Sequence, residues 1–97
     1  MAACRLESLP RRVVGGLEVP VAVGFHARLL GLARLDRAAA GPGLLIPRCA
    51  AVHTFGMRFA LDVHFLGVDD EVLARLLVPP RHFAAHRGAV AVLEVPA

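Results

Sequence analysis

The chain contains no Trp, Tyr, Lys, Asn or Gln. Without Trp or Tyr it has no stacking platform for sugars, the device many β-sandwich lectins use. Without Lys, all 11 side-chain cations are Arg, the group that holds carboxylate and phosphate bidentately. These Arg are scattered, the net charge of +3 is modest, and the five aromatic rings are all Phe. A nucleic-acid binder concentrates a basic patch or an aromatic-studded groove, so no nucleic-acid partner is expected. The lack of amide side chains fits GC-rich coding better than selection against heat-labile residues. It also removes the usual side-chain donors to an oxyanion, leaving backbone N–H groups for that role. Ser8 and Thr54 are the only hydroxyl residues, and neither G-x-S-x-G nor a Cys-His-Asn set occurs. Nothing here argues for a nucleophilic enzyme, and the reading leans away from catalysis.

Cysteine is equally sparse. Cys4 and Cys49 are too few for a disulfide framework, so both are expected as thiols, Cys4 in a loose terminus and Cys49 in or near the core. Cys49 and His53 are spaced C-x-x-x-H, and His82 and His86 H-x-x-x-H. Zinc needs three or four ligands of compatible geometry, and no CxxC or HExxH context supplies them, so no metal and no cofactor is expected. No leader-like apolar run opens the chain, and no stretch approaches the ~20 apolar residues of a membrane span. The expectation is a soluble, cytoplasmic protein with no membrane association.

What is present is apolar sequence, at 57% of 97 residues. One domain of this size buries roughly 60–65% of its unfolded surface. Some of the apolar excess is therefore expected to meet a partner, such as a second copy in a homodimer.

The strongest pattern runs from Val52 to Leu66. Its odd positions are His53, Phe55, Met57, Phe59, Leu61, Val63 and Phe65; its even positions include Thr54, Arg58, Asp62 and His64. A strand points successive side chains to opposite faces, so period two separates an apolar from a polar side. Fifteen residues are long for one strand, and a bend or bulge is expected between Gly56 and Ala60. Gly67 to Asp70 reads as a turn and Glu71 to Val78 as the returning strand of a hairpin.

Earlier, residues 1–16 read as an arm, frayed or an edge strand, ending at the turn Gly15-Gly16. A single domain then spans 17–97. Leu17 to Val23 alternates and carries Pro20, which suits an edge strand. Residues 26–35 shift to helical spacing, with Gly31 expected to allow close packing of backbone on a strand. Ala38 to Pro42 reads as a connector and Gly43 to Ile46 as a strand. A His-containing loop (81–88) precedes Ala89 to Val95, a last strand apolar on both faces and therefore central. The fold class is mainly β, a small sandwich or barrel with one short N-terminal helix.

Several segments together are similar to the signature of the bacterial and archaeal family called domain of unknown function 192. They are His53-Thr54-Phe55-Gly56-Met57-Arg58-Phe59 with Leu61-Asp62-Val63, Arg28 with Gly31-Leu32, Gly43-Leu44-Leu45-Ile46, and Val92-Leu93-Glu94-Val95. The resemblance covers roughly 17–97. It implies a β-rich sandwich of jelly-roll type and assigns no activity. The chain departs from the pattern at Ala60, where many members have Pro. It also ends at Ala97, where the family continues into a turn and a short segment; an open sheet edge or a gap for a partner is expected there.

Five residues are the candidate ligand-binding set: His53, Arg58, Asp62, Arg28 and Glu94. His53 either contacts a ligand at a cleft mouth or ends its strand as a hydrogen-bonded His. Arg58 and Asp62 lie four residues apart, roughly 13 Å on a straight strand, so each needs partners on neighbouring strands. Glu94 interrupts an apolar strand; a buried carboxylate must be paired or protonated, and Arg28 or Arg58 is the natural partner. Asp69-Asp70-Glu71 reads as a solvated acidic turn. The expectation is a non-enzymatic β domain holding a small polar or anionic ligand in a cleft. One alternative is a protein–protein interaction module using an apolar face or open edge. The other is an acid/base enzyme using His53 with Asp62 or Glu94.

Overall fold

The hairpin that continues the long apolar stretch forms one side of the main sheet, with its second strand at the edge. In the structure, a computed structural model that describes residues 5–97, β5 (Leu61–Leu66) and β6 (Val72–Val78) pair antiparallel from Leu61 opposite Val78 to Phe65 opposite Ala74. The register slips between Phe65 and Leu66, where the chain enters the turn. On the other edge of β5 lies β8 (Ala91–Pro96), and beyond it β3 (Leu44–Pro47), giving the order β3-β8-β5-β6. As its two apolar faces imply, β8 is covered on both sides. Val92 joins the core under the helices, while Ala91 and Leu93 pack beneath the hairpin of β1 (Arg11–Val14) and β2 (Leu17–Pro20). Cys4 lies outside the described residues.

A second two-stranded sheet pairs β4 (Ala51–His53) with β7 (Phe83–Ala85). The architecture is thus mainly β, with antiparallel sheets and eight strands among the described residues, and the sheets do not close into a barrel. It carries two short helices rather than one: α1 (Phe25–Leu30) and α2 (Arg37–Ala40). The first is shorter than its apolar spacing suggests because Gly31, at φ 53°, turns the backbone out of the helix. The second falls on the Ala-rich segment read as a connector; Ala40 is its buried anchor. Arg11–Val14, inside the segment read as an arm, pairs in full register with Leu17–Pro20.

The parity of Val52 to Leu66 does not run through. Residues between β4 and β5 leave the sheet in a turn closed by the Met57 N–H on the Thr54 carbonyl, with Gly56 at φ 81°. The alternation restarts on the far side. Val52 is buried and Phe55 exposed, whereas Met57, Leu61, Val63 and Phe65 of the odd class are buried. Thr54, placed on the polar side by parity, is fully buried. Its hydroxyl donates to the Pro79 carbonyl at 2.6 Å and accepts the His82 N–H at 2.9 Å, pinning the β6–β7 loop to the end of β4. The acidic turn is not merely solvated: Asp70 pairs with Arg12 at 2.5 Å, tying the two hairpins together. Among the described residues no helix is long and apolar enough to cross a membrane.

Candidate functional site

Glu94 defines the site. Strand β8 pairs it with Leu44 of β3 on one side and Val63 of β5 on the other, so its side chain rises on the face covered by α1. It is 3% exposed. The backbone N–H of Leu32 donates to the carboxyl group, and Oε1 has no hydrogen-bond partner among the described residues. Burial pushes its pKa up to about 7, opposed only in part by the Leu32 N–H. Gly31 makes this approach sterically feasible, since a Cβ there would lie 2.7 Å from Oε1. The motif Arg28-x-x-Gly31-Leu32 therefore ends the helix, clears space for the carboxyl group and supplies its one donor.

A cavity of about 90 Å³ opens beside it, lined by Arg28, Leu29, Leu30, Gly31, Ile46, Cys49, Ala51, Val52, His53 and Glu94. His53 ends β4, and its buried Nδ1 has no hydrogen-bond partner among the described residues. The Cys49 thiol donates to the Ala51 carbonyl at 3.0 Å, and the residue is half-buried with a free thiol. The cavity thus holds two polar atoms, Glu94 Oε1 and His53 Nδ1, that have no partner among the described residues.

Of the five sequence candidates, the fold brings together Arg28, His53 and Glu94 and leaves two outside. Neither arginine expected to neutralise Glu94 does so. Arg28 donates to the Pro47 carbonyl and to the Arg48 carbonyl at 3.0 Å, bracing the turn after β3. Arg58 pairs with Asp36 at 2.6 Å on the exposed surface. The geometric reason is that Arg58 lies in the loop that leaves the sheet, not on a strand beside β8. Asp62 faces away from Glu94, because its neighbour Val63 shares Glu94's face. It pairs with Arg75 of β6, as a neighbouring-strand partner, and lies 3.3 Å from His64 Nε2. The Arg75 guanidinium holds the Asp62 carboxyl below the usual carboxylate range, with His64 adding to the effect.

Sequence reading did not place Cys49, or the backbone of Gly31 and Leu32, in the site. The available signals were the C-x-x-x-H spacing to His53 and a Gly inside a helical pattern. His82 accepts no role here: its Nδ1 lies 2.9 Å from the Pro80 carbonyl, while His86 stacks on Phe65 at a centroid distance of 5.8 Å. Among the described residues no three His, Cys, Asp or Glu are grouped to hold a metal ion. A larger groove of about 340 Å³ lies between the Arg5–Ser8 turn and α1, but its lining is largely apolar and Arg5 donates to the Gly31 and Ala33 carbonyls.

The fold and the site together define a small mainly β domain with a partly enclosed polar cavity centred on one desolvated carboxyl group. Residues 10–97 match the model of the family called domain of unknown function 192, described as "Uncharacterized ACR", and the chain belongs to that family. No match was found among curated proteins or among solved structures.

Proposed function

We propose that this chain is a non-enzymatic binding domain whose cavity takes a small polar ligand through Glu94 and His53. One observation carries the reading: two buried polar atoms without partners among the described residues, Glu94 Oε1 and His53 Nδ1, line the same cavity. A buried polar atom left unsatisfied costs about 1–3 kcal/mol, and a ligand that satisfies two recovers that cost on binding. An anionic ligand is disfavoured beside a carboxyl group, since ionised Glu94 would repel it. The test is native mass spectrometry of the purified protein against its denatured mass. A retained mass that disappears in Glu94→Gln and His53→Ala supports the reading; one indifferent to both refutes it. Turnover abolished by Glu94→Gln would instead favour acid/base chemistry, for which a carboxyl with a pKa of about 7 is suited.

A second reading, an interaction module, is supported by strand β6. It is the outer strand of its sheet, and Leu73, Leu76 and Leu77 are exposed, Leu77 at 66%. An apolar open edge is a template for pairing with another chain, including a second copy. The expected dimer on this surface is checked by the native mass, and Leu77→Lys would return it to monomer. The jelly-roll character of the sandwich belongs to the same proposal, supported by its antiparallel sheets, and so does the cytoplasmic location.

A further inference from the structure

His53 lines the Glu94 cavity. That residue also borders an open apolar surface made by Ala51, Val52 and Phe83. Phe83 is 77% exposed, and it packs edge to face against Phe55 at a centroid distance of 5.1 Å. The His53 ring lies 6.0 Å from Phe55 and 6.5 Å from Phe83. Three rings therefore form a shelf that shares His53 with the cavity lined by Glu94. Among the described residues most of the Phe83 ring is uncovered, and with the half-exposed Phe55 it forms a contiguous apolar patch.

We propose that the Glu94 cavity and the shelf of His53, Phe55 and Phe83 bind one organic cation, a primary ammonium carried on a short apolar body. The proposal rests on the reading of the cavity as a ligand site and names the chemical class of its occupant. Three features select that class. Glu94 Oε1 and His53 Nδ1 both lack a partner among the described residues, and an ammonium has three donors to offer them. A carboxylate selects a cation through charge, and the adjoining Phe rings offer an apolar surface to the body that carries it. The cavity of about 90 Å³ admits the ammonium and its nearest carbons, so the apolar body must lie outside on the shelf.

The groups around Glu94 are consistent with an uncompensated carboxylate. Strands β3 and β5 present Leu44 and Val63 beside it. From α1 and the N-terminal turn come Arg28 and Arg5, which donate to main-chain carbonyls rather than to Glu94, although Arg5 Nε is buried without a partner among the described residues. The loop before β4 contributes Cys49, and β4 contributes His53. No cation pairs with Glu94 among the described residues, so an incoming ammonium meets a carboxylate without a counter-ion.

The test uses the whole chain and three probes of one shape: benzylamine, benzyl alcohol and benzoate, titrated calorimetrically at pH 6 and pH 8. Benzylamine is expected to bind saturably and about tenfold more tightly at pH 8, because the ionised fraction of a group titrating near 7 rises by that factor. Glu94→Gln is expected to abolish the gain. Phe83→Ala should weaken binding at both pH values and leave the gain intact, as should His53→Ala. Benzoate binding more tightly than benzylamine, or equal benzylamine affinity for wild type and Glu94→Gln, overturns the ammonium class. Where benzoate or benzyl alcohol binds and loses affinity in His53→Ala, the cavity stands as a ligand site and only the class is wrong. Where no probe binds and the native mass shows no retained ligand, both readings fall.

Discussion

Replacing Glu94 by Gln should change how stability depends on pH more than it changes the structure. Gln has nearly the same shape and keeps an oxygen to accept the Leu32 N–H. What it removes is ionisation. The folded-state pKa of about 7 stands against an ordinary value of 4.5, a rise of about 2.5 units. A raised carboxyl pKa means that the folded protein holds its proton more tightly than the unfolded chain. The associated stability is fully present below pH 4.5 and is lost as pH rises to 7, where the desolvated carboxylate must ionise. At about 1.4 kcal/mol per pH unit, the full loss is about 3–4 kcal/mol, most of it between pH 4 and pH 8. The variant lacks this loss, so the difference in stability between wild type and Glu94→Gln should shift by about 3 kcal/mol in the variant's favour between pH 4 and pH 8. In a domain of this size that is a Tm difference on the order of 15 °C. Thermal melts of both proteins across pH 4–8 measure it directly, because all other titrating groups cancel in the comparison. Parallel curves would refute the reasoning, since they would mean that Glu94 ionises as readily folded as unfolded and that the cavity is wet.

Gly31→Ala places a Cβ 2.7 Å from Glu94 Oε1 at a φ of 53°, so urea denaturation should show a loss of about 1–3 kcal/mol. Pairing it with Glu94→Ala should recover part of that loss, as expected when the clash is with the carboxyl group. Thr54→Val leaves the Pro79 carbonyl and the His82 N–H without their hydroxyl partner, and should cost about 1–3 kcal/mol in the same assay. Asp62→Asn acts with the opposite pH sense to Glu94→Gln. The Asp62 pKa is lowered by Arg75, so its stabilisation is present at neutral pH and fades as acid protonates it. The variant should melt slightly below wild type at pH 7 and coincide with it in acid.

The β5–β6 hairpin could be read from local pattern alone, because alternating Leu61, Val63 and Phe65, a turn at Gly67 and a returning apolar strand are all contained in adjacent sequence. Strand β8 was equally legible: a run apolar on both faces is stable only with a layer on each side, and the helices and the β1–β2 hairpin supply them. Gly31 was recognised as a point of close backbone approach, though not as the residue that stops the helix and faces Glu94. Period two was misleading across Phe55 to Ala60, where the chain leaves one sheet and enters another. Parity carries over only while the strand is unbroken. The candidate residues divide along the same line. The sequence singled out Glu94 as a carboxyl group among apolar neighbours, and that oddity follows from composition and order. Its partner did not follow, because a strand's period specifies which way a side chain points but not which element arrives opposite. Tertiary packing brought Arg28, Cys49 and His53 around Glu94, sent Arg58 to Asp36, and turned Asp62 to the far face. Amino-acid order therefore determined the strands and the anomalous carboxyl group, while the convergence that makes them a cavity depends on contacts between residues distant in sequence.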